Sequence, residues 1–256
     1  MRFSNTETKK LLKVLLVSAL FIVTTAQIIQ AQPASSGSST THRNLSNKKS
    51  NFENVAIAQA SGTLMNSPGN VGSDLIRLRD ALRKYTEIDT IIKRQIRLSS
   101  REVMKIPFMY IAFEGRFELT KAESDNLKTY LEGGGFIMLE KFDISREENP
   151  SKSAFTSMIN KALGSKARVR RLPNSHQIYS SYFDFPDGPP LGGPSEARRF
   201  DSISEVNYLE GISMNGRLVG ICSSQQKKST WSEMQLRFGI NAIVFALTQK
   251  GGIAGR

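Results

Sequence analysis

Three acidic side chains stand out as groups that could do chemistry in this chain. Glu114 follows an apolar run of strand length, Glu140 follows a second such run, and Asp143 lies three residues further on. Open α/β sheets place their ligands at the carboxyl ends of their strands, so we expect these carboxylates at one sheet edge. Paired carboxylates there could hold a divalent cation or share acid–base work. Alternatively, these carboxylates have only a structural role, in which Glu114 pairs with Arg116 and Glu140 pairs with Lys141 or a helix dipole.

His176 and Cys222 are the other residues with reactive side chains. His176 is the one histidine of the part that we expect to fold, so it is the natural candidate for acid–base or recognition work, although a lone histidine is often structural. Cys222, the only cysteine, lies in an apolar stretch typical of a small core residue. A single cysteine excludes a disulfide framework and a multi-thiolate metal site in one chain. The sequence also carries no serine-hydrolase elbow, zinc-protease helix or phosphate loop, and we predict neither a metal nor a cofactor.

The elements that must position these groups alternate between strands and helices. Apolar runs and alternating patterns predict strands within residues 52–60, 93–98, 108–113, 136–139, 166–170 and 217–222. Helical spacing and capping signals predict helices over Leu75–Tyr85 (with Ser73 as a cap), from the box Thr120–Glu123 to Leu131, from Pro150 to Ala162, and from the box Thr230–Glu233 to Phe245. This alternation predicts one α/β domain over residues 52–250, with an open, mostly parallel sheet flanked by helices.

Two parts of this predicted domain lack regular patterns. Residues 173–215 contain five prolines and several glycines, so we expect an irregular insertion that packs partly through its aromatic side chains. Residues 251–256 are expected to form a flexible tail. The glycine triplet Gly133–Gly135 ends a helix before a strand, the reverse of a dinucleotide-binding fingerprint, and is predicted to be a turn.

The amino terminus has the layout of a secretory signal. Lys9, Lys10 and Lys13 precede the uncharged stretch Val14–Ala26, which is short for a membrane span. We predict a signal peptide over residues 1–31, with cleavage after Ala31 and cleavage after Ala26 as the alternative. The polar residues 32–51 then form a flexible linker. The protein is therefore expected outside the cytoplasm, tethered by an amino-terminal anchor if the signal stays uncut.

The charge balance indicates which partners this protein could have. The chain carries 35 Lys and Arg against 23 Asp and Glu, a net charge of +12. The bases of the predicted domain fall into three clusters, namely Arg77, Arg79, Arg83 and Lys84, then Lys93, Arg94, Arg97 and Arg101, and finally Lys166, Arg168, Arg170 and Arg171. Export argues against a nucleic acid, so anionic lipid or a cell-wall polymer is the polyanion we expect, unless the bases only form a solvated surface.

An ordered series of segments resembles the bacterial domain-of-unknown-function 4159 family. The segments are Pro107–Ile111, Phe117–Thr120, Asn126–Leu127 with Tyr130–Phe136, His176–Tyr179, Phe183–Phe185, Gly216–Leu218, Phe238–Asn241 and Ala246–Thr248. This resemblance covers nearly all of the predicted domain. It implies a flavodoxin-like core similar to that of class I glutamine amidotransferases, and it implies no established activity.

The resemblance also indicates where a nucleophile would be. In the amidotransferases the nucleophilic cysteine follows a central strand on a sharp turn. The matching turn here would be residues 113–116, which contain no cysteine, serine or threonine. The family often carries Gly-His-Gly at this turn, whereas this chain has Phe113-Glu114-Gly115. The resemblance therefore implies the flavodoxin-like core of the amidotransferases but not their reaction.

These observations lead to three hypotheses about function. The first is an exported, non-catalytic binding or interaction module of the cell envelope, bound to an envelope protein or ligand. Its expected ligand contacts are Glu114, Gly115, Arg116, Glu140 and His176. The second is an envelope hydrolase whose catalytic residues are Glu114, Glu140 and His176. The third is an envelope scaffold that docks through Arg168 and Arg170.

Overall fold

The computed structural model describes residues 55–66, 71–142, 156, 159–190, 208–223 and 230–253, all within one compact unit. For residues 115–117 and 141–142 it describes the backbone alone. The predicted signal peptide, the predicted linker and Asp143 lie outside the described residues. None of the described helices is both long and apolar enough to cross a membrane.

Within the described residues, eight strands form one sheet. They are β1 (Val55–Ser61), β2 (Leu64–Asn66), β3 (Thr90–Arg97), β4 (Phe108–Glu118), β5 (Phe136–Phe142), β6 (Ala167–Arg171), β7 (Leu209–Met214) and β8 (Arg217–Ser223). The order across the sheet is β3-β1-β4-β5-β8-β7-β6, and β2 pairs with β4 off this path. The first five strands of that order are parallel, whereas β2, β6 and β7 pair antiparallel. The predicted open, mostly parallel sheet is confirmed.

The five parallel strands follow a doubly wound order. Numbered along the chain as β1, β3, β4, β5 and β8, they lie in the spatial order second, first, third, fourth and fifth. This is the flavodoxin-like order, whose direction reverses between β1 and β4. In this chain β2 pairs with β4 at that reversal, with Asn66 opposite Glu114 and Leu64 opposite Glu118.

Among the described residues, three α-helices cover the sheet, and residues 159–163 are also helical. They are α1 (Val71–Tyr85), α2 (Lys121–Glu132) and α3 (Glu233–Thr248). The predicted capping box at Thr120 and Glu123 is present. The box of α3 is displaced from the prediction, because Ser232 pairs with Gln235 and Thr230 lies before the helix. Ser73, the predicted cap of α1, lies inside that helix.

Two hydrophobic cores lie on opposite faces of the sheet, and the alternation along each strand separates them. Tyr110 and Ala112 of β4 join the core beneath α1 and α3, which we call face A. Met109 and Ile111 join the core beneath α2, which we call face B. A residue's number along β4 or β5 therefore determines which face its side chain occupies.

The predicted irregular segment is more regular than expected. Residues 209–214 form β7, which lies between β6 and β8. The apolar pattern there is broken by Glu210 and Gly211, which hid the strand in the sequence. Gly211 is required for packing, since a Cβ atom would lie 2.5 Å from Leu172 Cδ2. β2 was also missed, because three residues are too few to show a period.

The predicted tail also departs from expectation where the structure describes it. The Ile253 amide donates to the carbonyl of Gly134 at 3.1 Å, and Gly252 is buried. Gly134 has a φ of 98°, in the left-handed region, and its backbone lies directly against Gly251. Residues 251–253 thus close over the turn between α2 and β5.

Candidate functional site

Trp231 is the centre of a buried polar cluster near the carboxyl edge of the sheet. The side chain is 1% exposed, and the residue immediately precedes the Ser232 cap of α3. Its indole Nε1 donates to Glu140 Oε2 at 2.9 Å, and its ring meets Tyr110 edge to face with centroids 5.5 Å apart. These contacts attach the start of α3 to the central strands β4 and β5.

The backbone of Trp231 is held by α1. Its amide donates to Asp74 Oδ1 at 3.0 Å, and its carbonyl accepts from Arg77 Nη1 at 2.6 Å. Asp74 and Arg77 lie one turn apart, and their charged atoms are 3.7 Å apart. Asp74 is fully buried, so this network satisfies a carboxylate that would otherwise be costly to bury. We call Asp74, Arg77, Tyr110, Glu140 and Trp231 the Trp231 cluster.

Glu140 lies on face A inside β5, opposite Ala112 of β4. Its side chain is 6% exposed and accepts hydrogen bonds from the Tyr110 hydroxyl and the Trp231 indole. Burial and the nearby charge of Glu140 raise the pKa of Tyr110 well above its ordinary value. Tyr110 is therefore a neutral donor to Glu140 at physiological pH.

The predicted turn at residues 113–116 is wrong, because β4 continues through it to Glu118. Glu114 and Glu140 were expected just beyond their strands, and both lie within strands that are longer than predicted. Pairing of the extension with β2 and β5 explains the extra length. Gly115 and Arg116 are strand residues of this extension.

Glu114 is the more accessible acid of this edge. By strand alternation it lies on face A, two residues beyond Ala112, which pairs with Glu140. The Cα atoms of Glu114 and Glu140 are therefore about 8 Å apart. Its side chain is half-buried and makes no hydrogen bond or ion pair with any described residue. The structure thus brings two of the predicted acids to one edge, one enclosed and one reachable from solvent.

His176 lies near the other end of the sheet. Its ring packs against Phe245 with centroids 5.4 Å apart, and Phe245 in turn contacts Phe136 at the amino end of β5. The helix rise places Phe245 about 18 Å along α3 from the end that carries Trp231. Glu140 and His176 therefore do not converge on one site.

The local contacts of His176 are those of a capping residue. Its Nδ1 accepts from the Ile178 amide at 3.2 Å, at the start of the short 3-10 helix Gln177–Ser180. Burial lowers the pKa of the imidazole, which favours the neutral form that can accept this bond.

Cys222 is a core residue of β8. The thiol is buried on face B, whereas Glu140 lies on face A of the adjacent strand. Burial, followed by the charges of Glu210 and Glu140, raises the pKa of Cys222 far above that of an ordinary thiol. A nucleophilic cysteine needs the opposite environment, with a lowered pKa and access to solvent.

Only Glu140 of the Trp231 cluster is predicted from the sequence as a site residue, and Arg77 is predicted only as part of a basic cluster. Asp74 carried the clearest signal, because it lies four residues before Leu78 and eight before Leu82 on the apolar stripe of a helix. An acid at a core-facing position needs a partner. Tyr110 is hidden in a uniformly apolar strand, and Trp231 lies inside the predicted capping box Thr230–Glu233.

The carboxylates at this edge can accept hydrogen bonds and can pair with a positively charged group. Within the described residues, no group of three or more His, Cys, Asp and Glu side chains is arranged to hold a metal ion. The acids of the edge lie beside a tyrosine of raised pKa and an indole, neither of which attacks a substrate at neutral pH.

A doubly wound domain with this strand order belongs to the flavodoxin-like class of α/β folds. The family model described as a domain of unknown function (DUF4159) matches residues 69–247, and the chain belongs to this family, which confirms the resemblance. A crystal structure of a ThuA-like protein from Bacteroides uniformis is 11% identical, with a TM-score of 0.45 over 88% of this chain and 99% of that chain. The solution structure of two-electron reduced flavodoxin from Megasphaera elsdenii is 16% identical, with a TM-score of 0.26 over 43% of this chain and 78% of that chain. The curated proteins contain no match.

Proposed function

We propose that this protein is an exported, non-catalytic binding module of the cell envelope that contacts its ligand at the carboxyl edge of the sheet. The observation that carries the proposal is the enclosure of Glu140 between Tyr110 and Trp231, with 6% of the side chain exposed. A general acid or base must reach the substrate within hydrogen-bond distance, and Glu140 is committed to two internal donors instead.

The placement of the other reactive groups supports the same proposal. Cys222 lies on the opposite face with a raised pKa, and His176 lies near the amino ends of the strands. The ligand contacts that we propose are Glu114, Gly115 and Arg116 of the β4 extension, with Glu140 beneath them. His176 is too distant to join them, so we do not retain the hydrolase that would combine it with Glu114 and Glu140.

Export is supported by the sequence of the amino terminus. Three lysines, an uncharged stretch of 13 residues and a small residue at Ala31 match a secretory signal. The proposal places the protein outside the cytoplasm, with a mature chain that begins at Gln32. An uncut signal would leave the same domain anchored at the membrane surface.

The test combines localisation with an assay for turnover. The full chain is produced in a bacterial host, the fractions are separated, and the intact mass of the protein is measured. We expect the protein in the envelope fraction with the mass of a chain that begins at Gln32, or of the whole chain if the anchor is retained. Recovery only from the cytoplasm, at full mass, would contradict export.

The purified protein is then incubated with chromogenic esters, amides and phosphomonoesters, beside its Glu114→Gln and Glu140→Gln variants. We expect no turnover above that of the buffer for any of the three proteins. Turnover by the wild type that is lost in a variant of unchanged circular dichroism would overturn the non-catalytic assignment.

A further inference from the structure

The edge strand β3 and the turn that follows it form a basic surface that the proposed edge site does not use. Residues 90–105 contain five bases, Lys93, Arg94, Arg97, Arg101 and Lys105, and a single acid, Glu102. All six side chains are exposed. We call residues 90–105 the β3 edge.

The bases of the β3 edge lack the acidic partners that Arg79, Arg83 and Lys166 have. Arg79 and Arg83 of α1 pair with Asp80 and Asp89 at 2.7 and 2.9 Å, and Lys166 pairs with Glu132 at 3.1 Å. The side chains of the five bases of the β3 edge make no hydrogen bond or ion pair within the part of the chain that the structure describes. Their charge is therefore available to a partner.

An apolar side chain accompanies this charge. Ile91 is 47% exposed, one of four large hydrophobic side chains described as exposed. Ile91 and Lys93 are two residues apart on β3 and so lie on the same face of the strand. Exposed apolar groups beside lysine and arginine are the combination with which peripheral proteins contact the interface of an anionic bilayer.

The backbone of β3 favours a lipid surface over an added peptide strand. β3 pairs with β1 on one side only in the described sheet, so its other side is an edge. The pairing shifts register between Ala58 and Ala60, and Gln95 has a φ of 56° at this irregularity. A bulge and a row of bases are devices that prevent edge-to-edge pairing. Mobile lipid head groups need no regular ladder of backbone hydrogen bonds.

We propose that the β3 edge docks the protein on a membrane surface rich in anionic lipid head groups. This inference deepens the proposed envelope function and rests on it for the identity of the membrane. The bases Lys93, Arg97 and Arg101 supply the attraction, and Ile91 enters the interface. Arg94 is left out of the contact set, because its guanidinium lies near Gly72 at the start of α1.

The test measures binding of the full chain to vesicles by co-sedimentation. Vesicles of phosphatidylcholine with phosphatidylglycerol are compared with vesicles of phosphatidylcholine alone, at low and at high salt. The triple variant Lys93→Gln, Arg97→Gln, Arg101→Gln should bind the anionic vesicles about a hundredfold more weakly, since each base near the surface contributes about fivefold. Binding of the wild type should decline with salt because the attraction is screened.

The matched control removes the same charge from the opposite edge of the sheet. The variant Arg168→Gln, Arg170→Gln, Arg171→Gln changes β6, which lies about 29 Å from β3 across six strand spacings. We expect this variant to bind anionic vesicles nearly as the wild type does. All of these proteins share one amino terminus, so a difference between them reports on the edges alone. Equal binding by both triple variants, or a greater loss from the β6 variant, overturns the proposal.

Two further measurements test other roles for the β3 edge. One role is binding of a soluble polyanion, and the other is prevention of pairing between the β3 strands of two protein molecules. Ile91→Ser should weaken binding to anionic vesicles and leave binding to soluble polyphosphate unchanged. A protein that binds polyphosphate but not vesicles would contradict the inference in favour of a soluble polyanion. The β3 triple variant is also examined by analytical ultracentrifugation. If it self-associates while its vesicle binding is unchanged, the bases serve only to prevent pairing between the β3 strands of two molecules. The vesicle result is independent of secretion, so it can fail while export holds.

Discussion

Gly135 leaves room for the aromatic ring of Tyr130. A Cβ atom at this position would overlap that ring, which is fully buried. The ring cannot move freely, because the Tyr130 hydroxyl donates to the Phe136 carbonyl at 2.8 Å and accepts from the Phe136 amide at 3.0 Å. The glycine is thus required by packing at the entrance to β5, which carries Glu140.

We predict that Gly135→Ala destabilises the protein by about 3 kcal/mol, because overpacking forces the Tyr130 ring or the backbone to shift. Gly72→Ala is the matched control, since a Cβ there meets nothing closer than 3.9 Å and alanine is the better helix former. Urea unfolding followed by circular dichroism gives both free energies. Equal free energies of unfolding for the two variants would show that the turn accommodates the added methyl group without loss of stability.

At the scale of elements, Glu123 connects α2 to the turn between β1 and β2. Its carboxylate accepts from the Thr120 amide at 2.9 Å, and from the amide and hydroxyl of Thr63 at 2.6 and 2.7 Å. Burial alone would raise the pKa of Glu123, but these hydrogen bonds outweigh it and lower the pKa below its ordinary value. The charged form is the one that stabilises the folded state.

The sign of the pH dependence follows from this lowered pKa. A group with a folded pKa below its unfolded value contributes stability above the unfolded pKa, and the contribution is lost as pH falls through the folded pKa. We predict that Glu123→Gln costs about 2 kcal/mol at pH 7, and that its difference from the wild type shrinks as pH falls below about 4. Urea midpoints measured at several pH values test this.

Glu118→Gln is the control for Glu123→Gln, because Glu118 is exposed and its ion pair with Lys161 is long, at 3.5 Å. This surface substitution should change stability by less than about 0.5 kcal/mol at any pH. If Glu123→Gln lowered stability by the same amount at every pH, the shape of the Glu123 side chain, and not its charge, would determine its contribution to stability.

The elements also show why the sequence predicted some contacts and not others. The capping box of α2 joins residues three apart, so its spacing is visible in the chain, and the structure confirms it. The bonds of Trp231 to Glu140 and Asp74 join residues 91 and 157 positions apart, and no local pattern encodes such a distance. Predicted strands ended too early at β4 and β5, because Glu114 and Glu140 interrupt the apolar runs while cross-strand pairing continues.

At the scale of the whole molecule, Cys222 reports on the integrity of the sheet. Its thiol lies in the core on face B of the sheet, so solvent reaches it only when the elements packed on that face move away. We predict that the native thiol is unreactive towards a disulfide reagent at neutral pH. Its reactive fraction in urea should follow the loss of circular dichroism, as expected for a single cooperative domain.

The same reagent with the protein in concentrated urea serves as the control for full reactivity. Labelling at urea concentrations well below the transition seen by circular dichroism would show that the β7–β8 side opens independently. It would also mean that the fold divides into two cooperative units at β5.

The carboxyl edge of the sheet carries its own spectroscopic probe. The chain has one tryptophan, and it is Trp231, fixed against Tyr110 and two buried carboxylates. Fluorescence excited in the indole band therefore arises from this edge alone. Quenching or a colour shift on adding a candidate molecule reads out what happens there, with no label attached and no residue replaced.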